Sequence, residues 1–396
     1  LKRILYIQYT NPAGYPPLEH SSRILADAGW HVTFLGTGAL GTQPLRFPPH
    51  PGVRVRCLGF CQPGWRQKAH YFYFCLWVVG WTLLARPKWV YVSDPLACPA
   101  ALALCILPGL RVLYHEHDSP DGPPAGAFQR FVRWARGQVA RRSAGCILPN
   151  ETRLERFKAE TGTRQGAFCV WNCPSTSEVA PARESPNGSF WLLYHGSIVP
   201  GRLPLAVVDA LAALPDCVRL RVIGYETVGA VGYVRRLQER ARHLGLDRRL
   251  QVLGVLRRAE LMEWCRRCDA GLALMPLRAG DANMHSMTGA SNKVFDYLAS
   301  GMPLVVSDLP DWRAAYVEPG YAFACDPTDP ESIARAVRRL IDHPDLALSM
   351  GEKGRQRVLK EWNYETCFLP VLRQLEASRG THLHHEPLAT SQRAMK

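Results

Sequence analysis

Two segments carry the residue types best suited to chemistry. In Leu193-Tyr-His-Gly196-Ser197-Ile-Val-Pro-Gly201-Arg202 a β-rich run ends, two glycines let the backbone turn closely, and a helical pattern follows. Free N–H groups and the dipole at a helix start attract an anion. Arg202 would add a charge-assisted donor. An ordinary strand–helix turn with a surface arginine has the same pattern. In Ser291-Asn292-Lys293-Val-Phe-Asp296-Tyr-Leu-Ala-Ser-Gly301 an N-cap opens a helix that a glycine stops. Lys293 falls in the first turn, where a cation opposes the dipole, and a bound phosphate would relieve that misfit. Asp296 lies three residues on, on the same face. A carboxylate so placed can accept hydrogen bonds from sugar or ribose hydroxyls. A solvated Lys–Asp pair is the alternative.

The first half has its own candidates. Tyr114-His115-Glu116-His117-Asp118 ends a β-rich run. A histidine there can hydrogen-bond a sugar hydroxyl or act near a reacting centre. His115 and His117 also have the spacing of a metal pair, but no third ligand is evident. Asp94 either faces a cleft or caps the next helix. Asn11-Pro-Ala-Gly14-Tyr-Pro-Pro-Leu-Glu19-His20 follows the first run, as a cleft loop or as a rigid Pro-rich turn. Cys265-x-x-Cys268 stands alone in a helical pattern and is read as structural.

These residues need elements to position them. Strand-like runs at 3–9, 32–35, 53–58, 89–92, 111–115 and 146–148 alternate with helical periods at 18–28, 69–84, 95–106 and 128–142. Such βα alternation predicts parallel strands joined by helical crossovers. Residues 172–188 are rich in Pro and Ser and read as an interdomain linker. Alternation then restarts, with strands at 190–194, 220–223, 250–253, 271–274 and 303–307. Helices are expected at 203–214, 229–243, 260–267, 292–299, 331–341, 346–361 and 365–375. The expected domains are residues 1–175 and 176–377, the last helix packing back on the first domain, and then a flexible tail, 378–396. In two doubly wound α/β units the default site lies beyond the carboxyl ends of the strands, in the cleft between them.

Composition narrows the class. The chain has 396 residues, 47% of them hydrophobic and 21% charged, a globular balance. Thirteen cysteines, most of them single among apolar residues, suit reduced thiols in a cytoplasmic protein. The longest uncharged apolar run, 71–85, is too short to span a bilayer, and no signal peptide is expected. Lys and Arg outnumber Asp and Glu by 20 to 10 through residue 178 and by 28 to 24 beyond it. A basic first half favours an anionic partner. No nucleic-acid-binding signature accompanies it, so an anionic membrane surface is the expectation. Arg130, Arg133, Trp134, Arg136, Arg141 and Arg142 on one helix are candidates for that face. The aromatic helix around 71–81 reads instead as core.

The segment Asn292-Lys293…Asp296-Tyr297-Leu-Ala…Gly301…Pro303 closely resembles the donor-site helix of glycosyltransferase family 4, whose fold is GT-B: two Rossmann-like domains facing across a cleft. Gly196 to Arg202 resembles that family's phosphate loop. The resemblance runs from Leu5-Tyr6 through Lys360-Glu-Trp-Asn. It implies a retaining glycosyltransferase that moves a sugar from a nucleotide donor, a UDP- or GDP-sugar, to a glycan or lipid-linked acceptor in envelope or exopolysaccharide synthesis. No metal or other cofactor is required, and no Asp-x-Asp motif is seen. Carried over, Arg202 and Lys293 stand at the pyrophosphate, with Gly196, Ser197 and Asn292 beside it. Asp296 holds the ribose, where the family usually has glutamate. Val255 and Leu256 line the base, Gly224 ends the second donor-domain strand, His117 is the active-site histidine, and Gly14 and Glu19 belong to the acceptor loop. Ser197 replaces a frequent arginine, and Thr288 stands where many members carry a second glutamate. A GT-B nucleotide-sugar epimerase and a non-catalytic GT-B binding protein are the alternative readings.

Overall fold

The computed structural model describes residues 2–164, 166–181, 188–278 and 280–377. The tail beyond 377 and the middle of the linker lie outside the described residues. The first domain runs β1 (Lys2–Ile7), α1 (Pro16–Asp27), β2 (Trp30–Thr37), β3 (Val53–Leu58), α2 (Trp65–Ala85), β4 (Trp89–Ser93), α3 (Cys98–Leu104), β5 (Arg111–His115), α4 (Ala127–Arg142), β6 (Gly145–Leu148), α5 (Glu151–Thr161) and β7 (Gly166–Cys169). Its strands form one parallel sheet in the order β3-β2-β1-β4-β5-β6-β7.

Alternation along β1 sorts side chains onto two faces. Leu5 and Ile7 join Phe74, Val78, Ala101 and Val139 beneath α2, α3 and α4. Ile4 and Tyr6 join Leu18, Leu25, Tyr364 and Phe368 on the other face.

The second domain runs β8 (Phe190–Ile198), α6 (Ala206–Ala212), β9 (Val218–Glu226), α7 (Tyr233–His243), β10 (Leu250–Val252), α8 (Arg258–Arg266), β11 (Ala270–Ala273), α9 (Ala282–His285), α10 (Asn292–Ala299), β12 (Leu304–Ser307), α11 (Pro310–Trp312), β13 (Ala322–Cys325), α12 (Pro330–Asp342), α13 (Pro344–Lys360) and α14 (Tyr364–Ala377). Its parallel sheet has the order β10-β9-β8-β11-β12-β13. α14 leaves this domain and buries Tyr364, Phe368, Val371 and Leu375 against the first.

Three readings change. The sequence pattern misses α5, β7 and β13. The basic helix α4 is not a uniformly solvated face: Arg136 is buried and donates to both Glu116 oxygens, at 2.5 and 2.7 Å. The aromatic helix α2 is core on one side only: Phe74 and Val78 enter the core with Cys75, Trp77, Val79 and Trp81 packed beside them, and the opposite side is exposed. Of its 21 residues only Phe74, Val78 and Thr82 are buried.

Candidate functional site

The sheets bring the carboxyl ends of their strands to a cleft with a cavity of about 700 Å3. The site residues that the family resemblance assigns all line it except Glu19, whereas Asp94 and His115 lie outside its lining. Glu19 sits on α1 beside Glu178. Burial first, and the Glu178 charge second, push its carboxyl up to about 7. Gly14 does reach the cavity.

On the second-domain side, β8 continues through Gly196 and Ser197, and α6 begins only at Ala206. The loop is therefore not the direct strand-to-helix turn that the pattern implied. The open helix start is that of α10. Its N-cap, Ser291, makes no capping bond. Ser291 Oγ and Asn292 Oδ1 are buried without partners, and both residues line the cavity. Gly224 pairs with Gly196 across β9 and β8. With φ 151°, a Cβ at Gly224 would stand 1.8 Å from the Gly196 carbonyl oxygen, so only glycine fits.

Lys293 reaches back from α10 to Gly196: a Cβ on that glycine would lie 3.1 Å from Nζ. The ammonium also sits 5.1 Å from the centre of the Tyr194 ring. Lys293 is 6% exposed, and among the described residues Nζ has no hydrogen bond or ion pair. Burial, and then the Arg202 charge, lower its pKa to about 7. Arg202 donates to Ser197 Oγ at 3.0 Å and to Met284 Sδ, and to no carboxylate among the described residues. Two cations and an uncapped helix start therefore converge, and among the described residues neither cation has a carboxylate at ion-pair distance.

Asp296 has different company. Arg258, from the start of α8, donates to both its oxygens at 2.7 and 2.8 Å. His195 Nε2 lies 3.3 Å from Oδ2. Arg258 also donates to Glu178 at 2.7 and 3.0 Å. Burial works to raise the Glu178 carboxyl, but Arg258 and His20 overcome it and leave it lowered to about 2. For Asp296 burial prevails, and its pKa stays raised despite Arg258. An ionised carboxylate has about four lone-pair positions. Arg258 fills two of those on Asp296, one on each oxygen, so it is not the wholly free acceptor that its position on α10 suggested.

On the first-domain side, His117 is 6% exposed and lines the cavity, with Nε2 unpartnered. Its ring lies 3.8 Å from that of His115, whose Nδ1 meets Tyr91 Oη at 2.5 Å. Burial, then the Arg153 charge, lower the His117 pKa to about 3. The imidazole is therefore neutral near pH 7. Its backbone N–H donates to Asp94 Oδ1 at 2.9 Å. Asp94 holds φ at 66°, a strained value for a non-glycine residue, at the carboxyl end of β4. Among the described residues no group of three His, Cys, Asp or Glu side chains is placed to hold a metal ion. Cys265, on α8, and Cys268, just after it, are both buried in the core.

Two first-domain side chains reach across the cleft. Arg153, in the first turn of α5, donates to the carbonyls of His117 (2.7 Å), Asn283 (2.7 Å) and Ser286 (3.0 Å). Asn150, the α5 N-cap, donates to the carbonyls of Ser286 and Thr288, each at 2.8 Å. The Thr288 hydroxyl turns away to Asp311 at 2.6 Å. The sequence reading missed Arg153, Asn150, Arg258 and Glu178 and left Asp94 undecided. The only local signals were the N-cap pattern at Asn150 and the closeness of Arg258 to Leu256.

Comparison with known proteins bears on this arrangement. Residues 18–170 match a "Glycosyl transferase 4-like domain" family model, and residues 205–372 match a "Glycosyl transferase-like" model. A glycogen synthase of Mycobacterium tuberculosis is 25% identical over 419 residues, covering 96% of this chain and 95% of that protein. Sucrose-phosphate synthase of Thermosynechococcus elongatus superposes with a TM-score of 0.70 at 15% identity, over 96% of this chain and 100% of that one. HepE of Anabaena, solved with UDP-glucose, superposes with a TM-score of 0.68 at 17% identity, over 95% and 99%.

Proposed function

Because the chain belongs to the GT4-like glycosyltransferases of GT-B fold, we propose that it transfers a sugar from a nucleoside-diphosphate sugar to a glycan or lipid-linked acceptor, with retention of anomeric configuration, in the synthesis of a surface polysaccharide. The observation that carries the donor reading is the convergence of Lys293, Arg202 and the uncapped start of α10, with no carboxylate paired to either cation among the described residues. That is the charge pattern a diphosphate fills. Structural neighbours solved with UDP and UDP-glucose support a uridine donor.

In this reading the diphosphate lies between Gly196–Ser197 and α10. The base lies along Val255 and Leu256, and the ribose lies beside the Asp296–Arg258 pair. As the bond to the anomeric carbon breaks, charge grows on the leaving phosphate, and Arg202, Lys293 and the α10 N–H groups stabilise it. These groups meet that charge without a metal. His117, neutral, lining the cavity and with Nε2 buried but unpartnered, orients a sugar hydroxyl. The acceptor hydroxyl attacks from the face that the diphosphate leaves, and the departing phosphate oxygen takes its proton.

Calorimetry with UDP and GDP on wild type, Arg202→Ala and Lys293→Ala tests the site. A loss of ~10-fold or more in both variants, about 1.4 kcal/mol, is expected. Unchanged affinity in both variants refutes the assignment. Product stereochemistry by NMR tests retention.

A further inference from the structure

α2 is apolar around its whole circumference, yet it lies on the outside of the first domain. Trp65, Phe72, Tyr73, Leu76, Leu83 and Leu84 recur at helical spacing along its outer side, and all are exposed, Trp65 by 75% and Leu84 by 79%. A scatter of single apolar residues on a surface is ordinary, but a continuous stripe marks a contact. The neighbouring helices extend it. Ile106, just after α3, is 80% exposed, and α4 adds Phe128, Phe131 and Trp134. Tyr71 of α2 meets Phe128 of α4 edge-on at 5.2 Å, which joins the two helices into one face.

The charges on the helices of this face have one sign. Residues 53–112 hold seven Lys and Arg and one acid, Asp94, which is spent on the His117 backbone. α4 holds five arginines and no acid; of these only Arg136 is buried. On α2 itself the charges are confined to the first turn, Arg66 and Lys68, and Arg86 and Lys88 follow its last turn. An apolar stripe capped at both ends by cations fits a layer that is apolar inside and anionic at its surface. A second copy of the chain would bring the same cations against themselves. No described helix is long and apolar enough to cross a membrane, so the contact is with one leaflet.

We infer that the α2–α4 face docks the enzyme on an anionic lipid bilayer, with α2 lying in the interface. The face also meets the cleft. Tyr9 Oη bonds His70 Nδ1 of α2 at 2.8 Å, and Thr10 and Asn11, the next residues, line the cavity. The amino-terminal, aromatic end of the stripe therefore lies at the cleft mouth, where an acceptor held in the leaflet presents its head group. This rests on the glycosyltransferase reading only for the acceptor; the docking itself does not.

Flotation of the full chain with phosphatidylcholine vesicles, with and without about one third phosphatidylglycerol, tests it. The expected result is binding to the anionic vesicles alone, weakened by high salt. Phe72→Ser with Leu84→Ser should reduce it at least ~10-fold. Arg66→Glu with Arg86→Glu should do the same without touching the apolar stripe. Unchanged UDP affinity and thermal midpoint show that the variants are folded and separate this test from that of the donor site. No binding by wild type to anionic vesicles, equal binding to neutral ones, or a concentration-dependent dimer that Phe72→Ser with Leu84→Ser converts to monomer would each overturn the inference.

Discussion

The pH dependence of nucleotide binding follows from Lys293. In the free protein, burial and the neighbouring Arg202 hold its pKa at about 7. About half the molecules then carry the ammonium at pH 7, and about one in a hundred at pH 9. A diphosphate in contact with Nζ stabilises the charged form, so it must bind the minority species or return a proton to the neutral one. From pH 7 to pH 9 the affinity for the nucleoside diphosphate should fall about 50-fold, or about 2.3 kcal/mol. The charge of the diphosphate itself changes little over this range, because its last ionisation lies near pH 6, and Lys293→Arg controls for the base N–H, which begins to ionise at the upper end. Titration calorimetry in two buffers of different ionisation enthalpy reads both quantities. Proton uptake should be about one half at pH 7 and approach one by pH 9. Lys293→Arg, whose guanidinium stays charged, should bind with a much flatter profile and without the half-proton uptake at pH 7. A wild-type affinity constant within about twofold across this range, or the same slope in Lys293→Arg, refutes the reasoning.

Arg153→Met removes three hydrogen bonds that tie His117 to the Asn283–Ser286 segment across the cleft. It should lower kcat at least ~10-fold in single-turnover transfer, about 1.4 kcal/mol, with UDP affinity within twofold of wild type. An unchanged kcat would show that the bridge is idle in turnover. Arg258→Met leaves Asp296 and Glu178 as buried carboxylates without their shared cation and should cost ~3–5 kcal/mol in urea unfolding. Adding Asp296→Asn should recover ~1–3 kcal/mol of that loss; strict additivity would deny the coupling. Asp94→Asn keeps an oxygen for the His117 N–H and should stay within a few-fold of wild-type kcat. Asp94→Ala should lose about tenfold by freeing the His117 backbone, ~1.4 kcal/mol. Equal losses in the two variants would mean that the Asp94 charge itself matters.

The sheets were legible because buried parallel strands are short apolar runs such as Trp89–Ser93 and Leu304–Ser307, each set off from its neighbours by a helical period. β7 and β13 escaped because Gly-Ala-Phe-Cys and Ala-Phe-Ala-Cys offer little bulk. α5 escaped because more than half of its residues are charged or polar. The placement of Lys293 and Arg202 at the cleft was legible, Lys293 because it opposes its own helix dipole. The pairing of Asp296 was not. Arg258 lies 38 residues earlier in sequence and Glu178 a further 80 before that, and nothing local marks such partners. The outer side of α2 was misread for a related reason: an apolar helix looks the same from sequence whether it is covered by protein or by something else.

The chain passes between the domains twice, once through Asn172–Ser175 and once at the start of α14. The two passages touch. Tyr364 N–H donates to the Pro174 carbonyl at 2.9 Å, and Glu365 accepts from Ser175 Oγ at 2.5 Å and from Thr176 N–H at 3.0 Å. Two bodies joined by one flexible thread can tumble about three axes, whereas two threads knotted at one place resist shear and twist there. Rotation of the donor domain is then confined to pivoting about that knot, much as a door with both pins on one edge has a single swing. Any approach of Lys293 toward His117 is therefore coupled to a matching approach all along the cleft, and the two walls meet in a fixed register each time.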